Sequence, residues 1–176
     1  MVVTLKPFLT QDHAFLCITI FAIALENLIT GVFAGLGRRK VFTKDYMRTN
    51  FRETHLANFG VGIIQGGYPD MGNGYYSKNL TYKDWYEFNN RQRAHYNGIE
   101  HIVAVIPLAL IGGIALPLVV FYSGLAYILG RVIYIIGYVR GGPNSRMIGA
   151  LIKDVGLVGF LVAACISLVR LYNGTV

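Results

Sequence analysis

Hydrophobic residues in this chain are concentrated in four long runs, which are separated by polar segments of very different length. We expect the runs to span a membrane over about residues 13–36, 88–115, 118–139 and 147–171, because roughly 20 apolar residues cross a bilayer as a helix. The pattern therefore predicts an all-α integral membrane protein: a single membrane domain, residues 1–176, built as a bundle of four antiparallel transmembrane helices.

The longest polar segment, residues 41–87, is rich in aromatic residues, glycine and asparagine. Within it, the apolar run at 56–64 is too short to span and fits a short helix that either lies in the membrane interface or packs on the membrane domain. Residues 68–74 have the composition of a turn. A connection this long inside a small domain is usually functional or serves as a docking element.

Composition and charge support the membrane class. The chain is 54% hydrophobic and 14% charged, and its mean hydropathy of +0.48 is too high for an ordinary soluble domain. Of the sixteen Lys and Arg residues, thirteen lie within 38–93 or at Arg140, Arg146 and Lys153. With four spans, the cations within 38–93 and the three at Arg140, Arg146 and Lys153 lie on the same side of the membrane, which we expect to be the cytosolic or matrix-like side. Such charge indicates loop orientation and anionic ligands or headgroups, and we expect no nucleic-acid partner.

Isolated polar and sulfur-containing residues also occur inside the apolar runs. Cys17 and Cys165 have no metal-ligand spacing, so we expect no metal site. The first run follows no basic region and precedes no small-residue cleavage site, so we expect it to stay in the protein. Glu26, within that run, fits either an interhelical hydrogen bond or snorkelling group, or a polar group near a ligand pocket.

Two stripes of polar side chains are predicted on adjacent helices. Their helical spacing places each set on one face. The sets are Arg93, Asn97 and Glu100 in the second run, and Tyr127, Arg131, Tyr134 and Tyr138 in the third. Because a short connection makes these helices antiparallel neighbours, we expect both stripes to lie level with each other at the basic surface.

Four further arginines are expected at the same level, namely Arg38, Arg39, Arg140 and Arg146. The resulting pocket suits a small zwitterionic polycarboxylate, since guanidinium groups bind carboxylates in pairs and Glu100 can hold an ammonium. If the ligand carries a thiol, a neighbouring guanidinium favours the thiolate over the thiol, whose unperturbed pKa is roughly 8.5. The open alternative is structural: the arginines and tyrosines are interfacial anchors, and Arg131 pairs with Glu100 inside the bundle.

Two sequence segments resemble a known family. RQRAHYNGIE, at residues 91–100, is similar to the second-helix signature of the membrane-associated proteins in eicosanoid and glutathione metabolism, the MAPEG family. GLAYILGRVIYIIGY, followed by GGPNSRMIGAL, resembles the third helix and following turn of the microsomal glutathione transferase 3 branch. The resemblance implies a left-handed four-helix bundle that forms a homotrimer, with glutathione as co-substrate bound between subunits near the basic surface.

The resemblance also implies roles for individual residues. Arg146 would be the catalytic cation that stabilises the glutathione thiolate. Glutathione would be bound by Arg93, Asn97, Glu100, Tyr134 and Tyr138, by His95 at a position where relatives are polar, and by Arg38 or Arg39 of the neighbouring subunit. His101 and Ile133 depart from a tyrosine and an arginine of the leukotriene-C synthase branch, which argues against leukotriene substrates.

We therefore expect a membrane-bound, glutathione-dependent transferase or peroxidase acting on lipophilic electrophiles or lipid hydroperoxides. One alternative is a non-catalytic relative that serves as an accessory subunit of a larger membrane complex, such as a mitochondrial respiratory complex, and the long segment 41–87 favours it. Another is a lipid-binding scaffold without chemistry. The expected partners are the bilayer, glutathione, and either two further copies of the chain or subunits of that complex. The expected location is an endoplasmic reticulum-like endomembrane, with a mitochondrial membrane as the alternative.

Overall fold

The protein is helical throughout most of the chain that the structure describes. The structure is a computed structural model, and it describes residues 10–62 and 70–176. Five α-helices and two short 3₁₀ turns form it, and no strand occurs in these two ranges. In chain order they are α1 (Gln11–Val41), α2 (Lys44–Phe59), a turn at Tyr76–Asn79, α3 (Tyr82–Ala115), α4 (Pro117–Gly141), a turn at Pro143–Arg146, and α5 (Met147–Tyr172).

Four of the helices, α1, α3, α4 and α5, are long and apolar enough to cross a bilayer. Each contains one of the predicted runs, so the predicted four-helix membrane bundle is confirmed. The helices extend beyond the apolar runs, and the largest extension is at the start of α3, which begins at Tyr82 rather than near residue 88. Thr81 explains this early start, because its side chain accepts a hydrogen bond from the backbone N–H of Asp84 and caps the helix.

Short connections make α3, α4 and α5 antiparallel neighbours. Leu116 alone separates α3 from α4, which opens with Pro117, and proline is favoured at a first helical position because no N–H is needed there. Gly142 ends α4 with a φ of 77°, a conformation that a residue without a side chain adopts readily. The end of α4, the start of α5, the start of α3 and the end of α1 therefore lie at the same basic end of the bundle.

The helices pack through a narrow apolar core and through small residues. Both α1 and α5 pack against α3 and α4. The central buried cluster consists of Leu16, Ile23, Val105, Ala109, Val120, Tyr127, Phe160 and Ala163. Gly149 of α5 lies directly against the backbone of Tyr134, and Gly130 of α4 lies against the backbone of Lys153. Such close approach of backbones is how helices associate in lipid, where apolar burial alone provides little driving force.

A layer made by α2 and the turn at Tyr76–Asn79 covers the basic end of the bundle. Its buried cluster consists of Val41, Phe42, Met47, Phe51 and Phe88. The helix lies earlier than predicted, because Thr43 caps its start and Gly60, with a φ of 70°, ends it before most of the apolar run at 56–64. Residues 63 and 64 of that run, and residues 68 and 69 of the predicted turn, lie outside the described residues.

Asp70 organises the segment that leads into this layer. Its buried carboxylate accepts hydrogen bonds from the backbone N–H groups of Gly72 (2.8 Å), Gly74 (3.1 Å) and Ser77 (2.9 Å), and from the Ser77 hydroxyl (2.7 Å). Burial on its own raises the pKa of Asp70, but these four hydrogen bonds stabilise the anion more and hold the pKa below its ordinary value. Asn89 donates to the Gly72 carbonyl and so ties the segment to α3.

Candidate functional site

Arg146 lies at the basic end of the bundle against two tyrosines of α4. Its Nη1 donates to the Tyr134 hydroxyl at 3.1 Å. Its guanidinium carbon lies 5.8 Å from the ring centre of Tyr134 and 5.0 Å from that of Tyr138. The tyrosines are one helical turn apart, and the turn at Pro143–Arg146 folds back far enough for the arginine to reach both. Of the predicted site residues, these three are in mutual contact.

Two more cations lie against the same tyrosine ring. The Arg131 guanidinium carbon and the Lys153 ammonium lie 5.7 Å and 5.8 Å from the ring centre of Tyr134. We call Arg131, Tyr134, Tyr138, Arg146 and Lys153 the Tyr134 cluster. Lys153 is buried and pairs with Asp154 at 2.7 Å. Cation–π attraction stabilises each contact, and the concentration of positive charge favours an anionic ligand.

Lys153 was not among the predicted site residues. A sequence feature could have identified it, because a lysine inside an apolar helix is costly and normally faces the bundle interior. By its position in the sequence, Lys153 counts among the cations that set the orientation of the bundle in the membrane.

Arg131 is the centre of a buried polar network that joins three helices. Its Nη2 and Nε donate to the Glu26 carboxylate at 3.1 and 3.4 Å, and its Nη1 donates to the Asn97 side-chain oxygen at 3.3 Å. The side chain of Arg131 is 0% exposed and that of Glu26 is 11% exposed. The structural alternative, in which Arg131 pairs with Glu100, is therefore wrong in its partner. Glu26 takes that place, because α1 packs against α4 at this depth and brings a carboxylate into the interior.

The predicted stripe on α3 divides between two faces of the helix. Arg93 and Glu100 form an ion pair of 3.6 Å with side chains that are 53% and 56% exposed. Asn97 turns inward to Arg131. In the single chain, Arg93 and Glu100 therefore lie on the outer surface of the bundle, where water, lipid or another subunit can contact them.

The remaining predicted site residues lie near α1. Arg38, at the end of α1, donates to the sulfur of Met71, and Arg39 beside it is exposed. The Nδ1 atom of His95 lies 3.4 Å from the Thr30 hydroxyl of α1. His95 therefore lies at the α1–α3 boundary, whereas the Tyr134 cluster joins α4 to α5 and to the turn before it.

The groups available for ligand binding at the basic end include cations, phenols, amides and the exposed carboxylate of Glu100. Across residues 10–62 and 70–176, no group of three or more His, Cys, Asp or Glu residues is arranged to hold a metal ion. The Tyr134 cluster can stabilise negative charge through Arg146 and donate a hydrogen bond through the phenol of Tyr134, whose oxygen already accepts one from Arg146.

The sequence of most of the chain matches the model of one protein family. The family model for MAPEG matches residues 16–166, a range that includes the whole Tyr134 cluster and the Arg131 network. The chain belongs to the MAPEG family. As a MAPEG protein with four membrane-spanning helices it is an integral membrane protein, and its family works in glutathione and eicosanoid metabolism. No solved structure matches this MAPEG chain.

Proposed function

We propose that this MAPEG protein is a membrane-bound, glutathione-dependent transferase or peroxidase acting on lipophilic electrophiles or lipid hydroperoxides. The observation that carries the proposal is the contact of Arg146 with Tyr134 and Tyr138 inside a cluster of three cations. Glutathione is a small zwitterion with two carboxylates and a thiol, and such a ligand matches guanidinium and phenol donors at the basic end.

Arg146 would supply the positive charge that stabilises the glutathione thiolate. An unperturbed thiol has a pKa of roughly 8.5, and each unit of decrease corresponds to about 1.4 kcal/mol of extra stabilisation of the anion. Its planar guanidinium carries several N–H donors in addition to its charge, so it can stabilise the thiolate by attraction and by hydrogen bonds. The thiolate would then form a carbon–sulfur bond as the leaving group departs, or attack the outer oxygen of a hydroperoxide. In the second case the O–O bond breaks, the sulfur becomes a sulfenic acid, and the alkoxide takes a proton and leaves as the alcohol; a second glutathione then converts the sulfenic acid to the disulfide and water.

We further propose that glutathione binds between subunits of a homotrimer. The exposed position of Arg93 and Glu100 supports this, because they face outward from the bundle that contains them. The side-chain oxygen of Asn97 accepts a hydrogen bond from Arg131, and its amide N–H groups remain available to donate to a ligand. In the proposed site Arg38 or Arg39 comes from the neighbouring subunit. His95 is proposed as a glutathione ligand only because of its place in the sequence motif at 91–100.

Within the MAPEG family, we propose that this chain belongs to the microsomal glutathione transferase 3 branch. The sequence of α4 and of the turn that follows it resembles that branch. An endoplasmic reticulum-like endomembrane is then the proposed location, with a mitochondrial membrane as the alternative.

The test is enzyme kinetics on the purified full-length protein in mild detergent, with glutathione plus either a chromogenic aryl halide or a lipid hydroperoxide. Arg146→Gln should lower kcat by about tenfold or more through loss of thiolate stabilisation, whereas Arg93→Gln should mainly raise the KM for glutathione. Arg170→Gln, at the opposite end of α5, is the matched control and should behave like the wild type. A wild-type protein that binds no glutathione at millimolar concentration would rule the proposal out.

A second function, as an accessory subunit of a larger membrane complex, is favoured by one observation. Leu56, Phe59 and Val61 lie outside the spanning helices, and their side chains are 49%, 71% and 58% exposed. Apolar groups exposed together in this way often mark a contact with another protein. Native gel electrophoresis of source membranes in mild detergent tests it: this function requires a species larger than a trimer, and a trimer-sized species alone would contradict it.

A further inference from the structure

A continuous groove runs along the α1–α4 side of the bundle, from the basic end toward the membrane interior. Three adjoining cavities of about 450, 450 and 350 Å³ form it. The first two share Arg91, Val139 and Arg140, and the second and third share Thr30, Phe33, Ile135 and Ile136. We call these three connected cavities the lateral groove.

The mouth of the lateral groove is basic. Lys83, Arg91 and Arg140 line it, together with the carboxylate of Glu87. That carboxylate is paired with Lys40 at 3.4 Å. Among the residues that the structure describes, neither Arg91 nor Arg140 forms an ion pair. The mouth therefore carries two guanidinium groups that form no ion pair, beside a carboxylate that is paired with Lys40.

The inner part of the lateral groove is apolar. Its lining includes Leu25, Ile29, Phe33, Val132 and Ile136, with side chains 41% to 58% exposed. Glu26 lies at the inner end, but its carboxylate is held by Arg131. The groove thus combines a mouth with more cations than carboxylates and an apolar floor in which the Glu26 carboxylate is already paired.

The lateral groove lies on a different face of α4 from Tyr134 and Tyr138. On α4 the groove is lined by Val132, Ile136 and Val139, which lie about 100–160° around the helix from the two tyrosines. Those tyrosines are buried inside the bundle. A ligand in the groove would therefore not contact Tyr134, Tyr138 or Arg146, although it would lie against His95, which lines the second cavity.

We propose that the lateral groove binds one anionic phospholipid, with its phosphate between Arg91 and Arg140 and one acyl chain along Phe33 and Ile136. Arginine pairs bind phosphate oxygens through several charge-assisted hydrogen bonds, and basic pockets between transmembrane helices suit anionic headgroups. A zwitterionic lipid would bring an ammonium group close to the same two cations. The lipid would act as a structural ligand that joins α1 to α3 and α4, and this role is independent of catalysis.

Native mass spectrometry of the full-length protein tests the lipid site. The protein is released from mixed micelles containing equal amounts of palmitoyl-oleoyl phosphatidylglycerol and phosphatidylcholine. The wild type should retain one phosphatidylglycerol per chain, and Arg91→Gln/Arg140→Gln should retain about tenfold less. Lys44→Gln/Arg48→Gln removes two exposed cations from α2 and is the matched control, which should retain lipid like the wild type.

Two further experiments identify which part of the lipid the groove binds. Ile136→Trp fills the apolar floor without changing charge and should also reduce phosphatidylglycerol retention, while glycerol phosphate alone should not compete. The proposal is overturned if phosphatidylcholine is retained equally well, if oleate displaces phosphatidylglycerol, or if the α2 control loses lipid as fully as the groove variant.

Discussion

At the scale of single residues, Arg131 shows how the bundle accommodates a charge in its interior. Removing an ion from water is expensive, and attraction to one carboxylate offsets that cost only when further hydrogen bonds satisfy the remaining donors. Glu26 supplies the carboxylate, and Asn97 and the Ala94 carbonyl accept further N–H groups. The arginine therefore fixes the relative positions of α1, α3 and α4.

The Arg131 network makes a prediction about stability. Arg131→Met should lower the free energy of unfolding by roughly 3–5 kcal/mol, because it leaves the Glu26 carboxylate buried and unpaired. Arg131→Met/Glu26→Leu should recover most of the loss, since neither charge then remains. Denaturant titration in detergent micelles measures both. Arg93→Met, which breaks an exposed pair, is the control and should cost less than about 1 kcal/mol. Equal losses in the single and double variants would contradict this account.

Asp70 makes a prediction about pH. Its pKa is lower in the folded protein than in the unfolded chain, so the anion favours folding. The stabilisation is complete above the ordinary aspartate pKa of about 3.9 and is lost as pH falls through the lower folded value. Amide exchange at Gly72, Gly74 and Ser77, corrected for intrinsic rates, should be slow at pH 6 and fast in strong acid.

Asp70→Asn tests the same claim at constant pH. The amide has no charge to stabilise, so these three N–H groups should exchange rapidly even at pH 6, with a local loss of about 2 kcal/mol or more. Asn89→Ala removes only the link to α3 and should have a smaller effect. Unchanged protection in Asp70→Asn would show that the carboxylate does not organise the segment.

At the scale of helices, the contact between α4 and α5 positions the Tyr134 cluster. Gly149 lies against the backbone of Tyr134, and a side chain there would meet main-chain atoms, which cannot move aside as a flexible side chain can. The backbone of α4 is therefore fixed where the tyrosine rings meet Arg146. The glycines of α5 thus act on the proposed site without touching a ligand.

Gly149→Ala should separate α4 from α5 at this point. We expect a loss of about 1–3 kcal/mol in stability, as for other overpacked sites, and weaker glutathione binding because Tyr134 and Arg146 shift apart. Gly35→Ala is the matched control, since a methyl group there meets nothing within 4 Å. Thermal unfolding and glutathione titration of both variants provide the comparison. Wild-type affinity in Gly149→Ala would mean that this contact does not position the site.

At the scale of the whole molecule, sequence alone predicts the bundle better than the details of its interior. Run length and apolarity identify four spans because lipid permits few alternatives. The apolar pattern predicts the short helix at 56–64, whereas α2 lies at 44–59. The sequence of α2 is mostly polar, so apolarity alone does not locate it. The spacing on α4 predicted that Tyr134 and Tyr138 share a face, but periodicity could not show which carboxylate α1 would bring to Arg131.

The assembled oligomer is where the proposed glutathione site is completed, and complementation tests this. In the proposed trimer Arg146 comes from one chain, and Arg38 or the adjacent Arg39 comes from the next. Arg38→Ala/Arg39→Ala and Arg146→Ala should each be nearly inactive alone. Co-expressed in equal amounts, they should regain about a quarter of wild-type activity, because random mixing in a closed ring of three leaves that fraction of interfaces intact. Separately purified variants, mixed afterwards, are the control and should regain none. If co-expression gives only the activity of the single variants, the two arginines do not meet across a subunit boundary.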